Sequence, residues 1–194
     1  MNLPNKITLT RICMIPVFAV VFFLPQIPYN YLIAAVIFLL AALTDALDGH
    51  IARSRNLVTN LGKFLDPIAD KVLVSTAFIL MLTTPEVFEV AVAWGLIVAG
   101  VCIALILARE LIVSGFRMVA ASRNLVLAAD KLGKIKTVFQ DAAIALLLAS
   151  MPFLDTTAGQ IVNYVGGVCF LLCTVLTVWS GVNYIVKNRE VLQS

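Results

Sequence analysis

The chain alternates long apolar runs with short breaks marked by proline or by clustered polar residues. Six runs stand out, at about 9–25, 29–48, 64–83, 88–113, 135–152 and 159–186. At 1.5 Å of rise per residue, helices of these lengths match the roughly 30 Å thickness of bilayer hydrocarbon. The breaks fall at Pro25 and Pro28, at the polar stretch 53–62, at Thr83-Thr84-Pro85, along the basic segment 114–134, and from Pro152 to Gly159. Ahead of the first run, LPNKITLTRICMIP reads as amphipathic, with Pro4 as a helix start and Pro16 as a kink. That predicts a short N-terminal amphipathic helix at the membrane interface. The pattern as a whole predicts an all-α polytopic membrane protein with six transmembrane helices.

Composition agrees. Hydrophobic residues make up 61% of the 194 positions, charged residues 13%, and the mean hydropathy is +1.02. A soluble domain does not carry that balance. No basic segment leads a short apolar core into a small-residue cleavage site, so the first run is expected to be retained. No internal repeat is visible, and 1–194 reads as one domain. Charge then orients the spans. With six spans, all 14 Lys and Arg fall on one side of the membrane. The opposite loops hold only Glu86, Glu89 and Asp155. By the positive-inside rule, both termini and that whole side face the cytoplasm, placing the protein as a multi-pass cell (inner) membrane protein. The net charge of +3 is then a topology signal with attraction to anionic membrane lipids, and nothing points to nucleic acid. Cys13, Cys102, Cys169 and Cys173 lie in apolar runs without metal-site spacing and read as small core hydrophobes.

One segment breaks the apolar pattern in a chemically specific way. TDALDGHIARSRNLVTNLGKFLDPIADK sets Asp45, Asp48, Asp66 and Asp70 at the edges of two apolar runs. Carboxylates in hydrocarbon cost several kcal/mol, so such a set marks a functional site. On a helical wheel Asp45, Asp48, Gly49 and Ala52 share an arc of about 100°, and Gly62, Asp66 and Asp70 form an i, i+4, i+8 stripe. Two helices can therefore turn two carboxylates each toward one space. An all-oxygen donor set suits Mg²⁺ or Mn²⁺ bridging phosphates. His50, the only histidine, reads as an interfacial side chain rather than a ligand. The plain structural alternative, helix capping or pairing of Asp48 with Arg53 and Asp66 with Lys63, explains single aspartates better than four.

Written as Asp45-x2-Asp48-Gly49-x2-Ala52-Arg53-x8-Gly62-x3-Asp66-x3-Asp70, the segment resembles the signature of the CDP-alcohol phosphotransferase family. PNKITLTR, RELIVSGFR and LGKIKT extend the resemblance along most of the chain, toward bacterial members that use glycerol 3-phosphate. The resemblance implies a metal-dependent transfer of a phosphatidyl group from CDP-diacylglycerol to an alcohol, with CMP leaving. It implies that Asp45, Asp48, Asp66 and Asp70 hold two metal ions, Mg²⁺ or Mn²⁺, and that Asp70 is also the general base. A metal-bound carboxylate is a weak base. Asp70 would therefore need either a metal-acidified hydroxyl as its partner or a place just outside the ligand set. Gly49, Ala52 and Gly62 would open room for CDP against helix backbone, and Arg53 would fork onto phosphate or brace a carboxylate. Relatives are often homodimers, and Gly95 with Gly100, or Gly166 and Gly167, offer helix contacts between subunits or within one.

For the acceptor, Arg109 and Arg117 lie eight residues apart, within about 80° on a continuous helix. Lys134 and Lys136 sit on the same side of the membrane. Together they read as a cationic pocket for an acceptor carrying its own phosphate, with Thr137 and Gln140 as neutral donors or acceptors. Glycerol 3-phosphate fits, and inositol phosphate is the runner-up. Serine or inositol would not need the pocket. A cation transporter, the rival from another class, would show broken spans and access from both sides.

Overall fold

The computed structural model describes the backbone of residues 3–54, 60–89, 95–122 and 131–188, and the side chains of 8–44, 68–88, 95–120 and 132–188. Among these the chain is helical, with no strand. The helices are α1 (Leu3–Phe22), α2 (Asn30–Ser54), α3 (Asn60–Leu82), the single turn α4 (Glu86–Glu89), α5 (Gly95–Ser122), α6 (Lys131–Ser150) and α7 (Thr157–Lys187). A 3₁₀ turn, Met151–Phe153, links α6 to α7. Pairs α1–α2, α5–α7 and α6–α7 pack together, and α3 touches α1, α2, α5 and α6.

Two boundaries depart from the apolar pattern. The N-terminal segment does not form a separate interfacial helix. It runs as one helix from Leu3 to Phe22 with Pro16 inside it. The apolar residues of this helix face both ways: Phe18 and Phe22 are buried while Val17 and Val20 are exposed. The fourth apolar run, expected to end at 113, continues as helix to Ser122, and α5 is described from Gly95, where φ is +49°. Hydropathy marks where hydrocarbon ends, and a helix whose backbone bonds are already in place can continue beyond it.

The interior is dry at one end. Phe18 lies between Phe22 and Phe38, with ring centroids 6.3 and 6.2 Å apart. Phe170 of α7 meets Phe78 of α3 at 5.8 Å and Phe88 of α4 at 5.4 Å. Met81, Ile103, Ile144 and Leu148 complete this core. Asn163, fully buried, donates to Ser150 Oγ at 2.9 Å and to the Val87 carbonyl at 3.3 Å, tying α7 to the ends of α6 and α4. Cys102 and Cys173 are buried as expected of small hydrophobes, whereas Cys13 is exposed.

Many large apolar side chains lie on the described exterior. Ile97, Val101, Leu111, Ile112, Val175, Trp179, Val182 and Val186 are all more than half exposed. Gly95–Ala120 and Thr157–Lys187 are long and apolar enough to cross a membrane, and most of each lies on the surface. The core helix of a soluble protein is buried, so these two helices need a solvent other than water.

Helices α6 and α7 approach closely at Gly166. A Cβ there would lie 3.0 Å from both the Leu147 amide nitrogen and its Cγ, so Gly166 packs within this chain. A Cβ at Gly100 would meet nothing within 4 Å. Gly166→Leu is expected to cost about 1–3 kcal/mol through overpacking. Thermal unfolding in detergent checks this, and an unchanged midpoint would show that the two helices can separate freely.

Candidate active site

The polar residues gather at the opposite end of the bundle from the aromatic core. There α3 and α6 begin and α5 and α7 end, enclosing a cavity of about 260 Å³. Helix α3 lines it with Asp70, Lys71 and Ser75, and α5 with Arg109, Glu110, Ser114 and Arg117. Lys134, Lys136, Thr137 and Gln140 line it from α6, and Tyr184 from α7. Asp70 thus shares one cavity with Arg109, Arg117, Lys134 and Lys136. The continuation of α5 to Ser122 is what makes this possible, since it carries both arginines on one rod.

The cations are held, not loose. Glu110 Oε1 accepts from Arg109 Nη1 at 3.3 Å and also from Lys136 Nζ. Neighbours in sequence rarely meet on a helix. Here Arg109 and Glu110 both turn into the same cavity. Lys136 is 4% exposed and reaches Gln140 Oε1 as well, at 3.4 Å. Arg109 Nη2 donates to Ser180 Oγ at 3.0 Å. Arg117 Nε donates to the Tyr184 hydroxyl at 3.1 Å, and its guanidinium carbon stands 5.2 Å from the centre of that ring. Thr137 Oγ1 donates to the Gly133 carbonyl at 3.1 Å. Lys134 is exposed at the rim.

Asp45, Asp48, Gly49, Ala52 and Arg53 lie on α2, and Gly62 and Asp66 on α3. Their side chains, with that of His50, fall outside the described residues. The helical backbone does fix register. Asp45 and Asp48 share one face of α2, Asp66 and Asp70 share one face of α3, and the two helices pack together. Four carboxylates with no competing thiolate among them fit a hard divalent ion.

Reading the residues for chemistry alone passed over Lys71, Ser180, Gly181 and Tyr184. Lys71 was absorbed into the charge asymmetry. The other three are uncharged, and their only signal was a small or polar stripe, Thr177, Ser180, Gly181 and Tyr184, at i, i+3, i+4, i+7 in an otherwise apolar run.

A sequence profile of the family described as CDP-alcohol phosphatidyltransferase matches residues 1–179. The chain belongs to that family. Among the CDP-alcohol phosphatidyltransferases it resembles is a protein of Bacillus subtilis (strain 168), 42% identical over the whole of this chain and 98% of its own length. A Rickettsia bellii protein is 37% identical over 94% of this chain and 93% of its own. One from Salmonella typhimurium is 38% identical over 97% and 95%. All three are named CDP-diacylglycerol–glycerol-3-phosphate 3-phosphatidyltransferase.

The ion pair between Glu110 and Lys136 should be energetically coupled. Lys136 has little access to water and Glu110 only 19%, so removing Glu110 takes the counter-charge from a buried ammonium, while removing Lys136 leaves Glu110 with Arg109 alone. A double-mutant cycle with Glu110→Gln and Lys136→Met, followed by thermal unfolding, is expected to give a coupling of about 0.5–3 kcal/mol. Additive losses would mean that the two side chains do not act as a pair.

Proposed function

We propose that this chain is a membrane-embedded phosphatidylglycerophosphate synthase. It transfers the phosphatidyl group of CDP-diacylglycerol to glycerol 3-phosphate and releases CMP. The observation that carries the acceptor is the cavity itself, which sets Asp70 beside Arg109, Arg117, Lys134 and Lys136. The full-length likeness to relatives of that name supports both donor and acceptor.

In this reading the phosphate of the acceptor sits among the four cations, with arginine forks matching its oxygens. That directs the free terminal hydroxyl toward the aspartates. The hydroxyl oxygen attacks the phosphatidyl phosphorus, and the bond from that phosphorus to the oxygen bridging it to CMP breaks. CMP leaves with the electron pair, and the hydroxyl proton passes to Asp70. Asp45, Asp48, Asp66 and Asp70 would hold two divalent ions, Mg²⁺ or Mn²⁺, which when bound neutralise charge on the pyrophosphate and on departing CMP. Gly49, Ala52 and Gly62 leave space for the nucleotide against helix backbone, and Arg53 meets its phosphate.

The same reading makes 1–194 one domain with six spans, both termini and the site at the cytoplasmic face of the cell membrane, and a homodimer as the assembly. The cavity lies where α3 and α6 begin and α5 and α7 end, which agrees with the side that carries the lysines and arginines.

Purified protein in detergent should release CMP from CDP-diacylglycerol when glycerol 3-phosphate is present. Inositol phosphate, inositol and serine serve as comparison acceptors. Chelation should stop turnover, and Mg²⁺ or Mn²⁺ should restore it. Asp66→Asn should abolish CMP release in folded protein, and normal activity in that variant would sink the aspartate assignment. Turnover with another alcohol instead would leave the aspartate chemistry standing and remove the acceptor reading.

A further inference from the structure

We infer that α7 is the positioning element of the acceptor pocket, and that Ser180, Gly181 and Tyr184 hold Arg109 and Arg117 in the geometry that receives a phosphate. This rests on the acceptor-phosphate reading above. The three residues lie within an arc of about 100° on α7, all buried, facing the end of α5 that carries both arginines.

Each residue acts on a guanidinium in a different way. Ser180 donates its own hydrogen to the Thr177 carbonyl at 3.2 Å, which fixes its oxygen as an acceptor for Arg109 Nη2 at 3.0 Å. Gly181 supplies room. A Cβ at that position would stand 2.7 Å from Arg109 Cγ and 3.3 Å from Nε, so the arginine stem lies directly over the glycine. Tyr184 takes the Nε of Arg117 on its hydroxyl and supports the guanidinium on its ring, and that ring is itself held edge-on by Phe116 at 6.1 Å.

Mere packing of α5 on α7 would not call for these residues. A serine and a phenol in a buried apolar seam cost desolvation unless each meets a partner. Here each meets one arginine. A guanidinium has five donors in a fixed plane. Tyr184 engages only the inner nitrogen of Arg117, which orients the fork without consuming its outer edge. Arg109 is set from two sides, by Glu110 on its own helix and Ser180 on α7.

The test is a split between the two substrates. Tyr184→Phe keeps the ring and its volume and removes the hydroxyl, and Ser180→Ala removes the other acceptor. Each should raise the KM for glycerol 3-phosphate about ten-fold or more, as loss of a hydrogen bond to a charged group implies. The KM for CDP-diacylglycerol should change less than about two-fold. Gly181→Ala, which displaces the arginine stem, should lose more in kcat/KM for the acceptor, and if it fails to fold, Tyr184→Phe alone decides. In an Arg117→Ala background, Tyr184→Phe should add no further loss. Equal rises in both KM values, or none in either, would overturn the role of α7. Arg109→Ala and Arg117→Ala are measured in parallel. If they leave the acceptor KM unchanged, the acceptor-phosphate reading itself fails. If they raise it while the α7 variants do not, only the positioning role fails.

Discussion

A single carboxylate oxygen organises the polar end of this bundle. Glu110 Oε1 receives both Arg109 from its own helix and Lys136 from α6, and through them it couples α5, α6 and, by way of Ser180, α7. Two cations this close repel strongly where water is scarce, and only a counter-charge between them makes the arrangement tolerable. Without Glu110, burying Lys136 on the inner face of α6 would cost more, with Gln140 as its remaining hydrogen-bond partner.

The bundle divides its labour along its length. At one end, clustered phenylalanines and close helix packing make a rigid, dry core. At the other, the same helices project charged side chains into a space of about 260 Å³. Rigidity at the first end is what gives the second its precision, because side chains on well-packed helices hold their positions better than side chains on loops. It also bears on selectivity. If the cavity receives a phosphate, as proposed, a neutral alcohol there would leave its excess positive charge uncompensated, a penalty greater than that of a missing apolar contact.

The helices were legible because apolar period and length report directly on burial in hydrocarbon. Their ends were less so. Ser114 to Ser122 lies beyond the fourth apolar run yet stays helical, and the residues from Leu3 join α1 although they are more polar than its remainder. The meeting of Arg109 and Arg117 with Lys134 and Lys136 was legible too, from spacing and from a shared side of the membrane. The partners that hold them were not. Charge in an apolar helix stands out in a single sequence, while a serine, a glycine and a tyrosine on α7 gain meaning only when α5 is laid against them. For Asp45, Asp48 and Asp66 the sequence and the helical backbone supply the same information, which is register.

The charge within the cavity argues for what it is built to receive. Among its described lining residues, Asp70 and Glu110 face Lys71, Arg109, Arg117, Lys134 and Lys136. Glu110 is already shared between two of those cations, so the excess is positive and partly shielded from water. Such an excess opposes folding unless the function repays it, and a protein evolving for stability alone would replace these side chains with apolar ones. A phosphate carries about two negative charges at neutral pH and presents several oxygens to forked donors. In the proposed reading its arrival would relieve the repulsion and engage the outer edge of Arg117 together. In that reading the same features that make the pocket costly when empty would make it selective when filled.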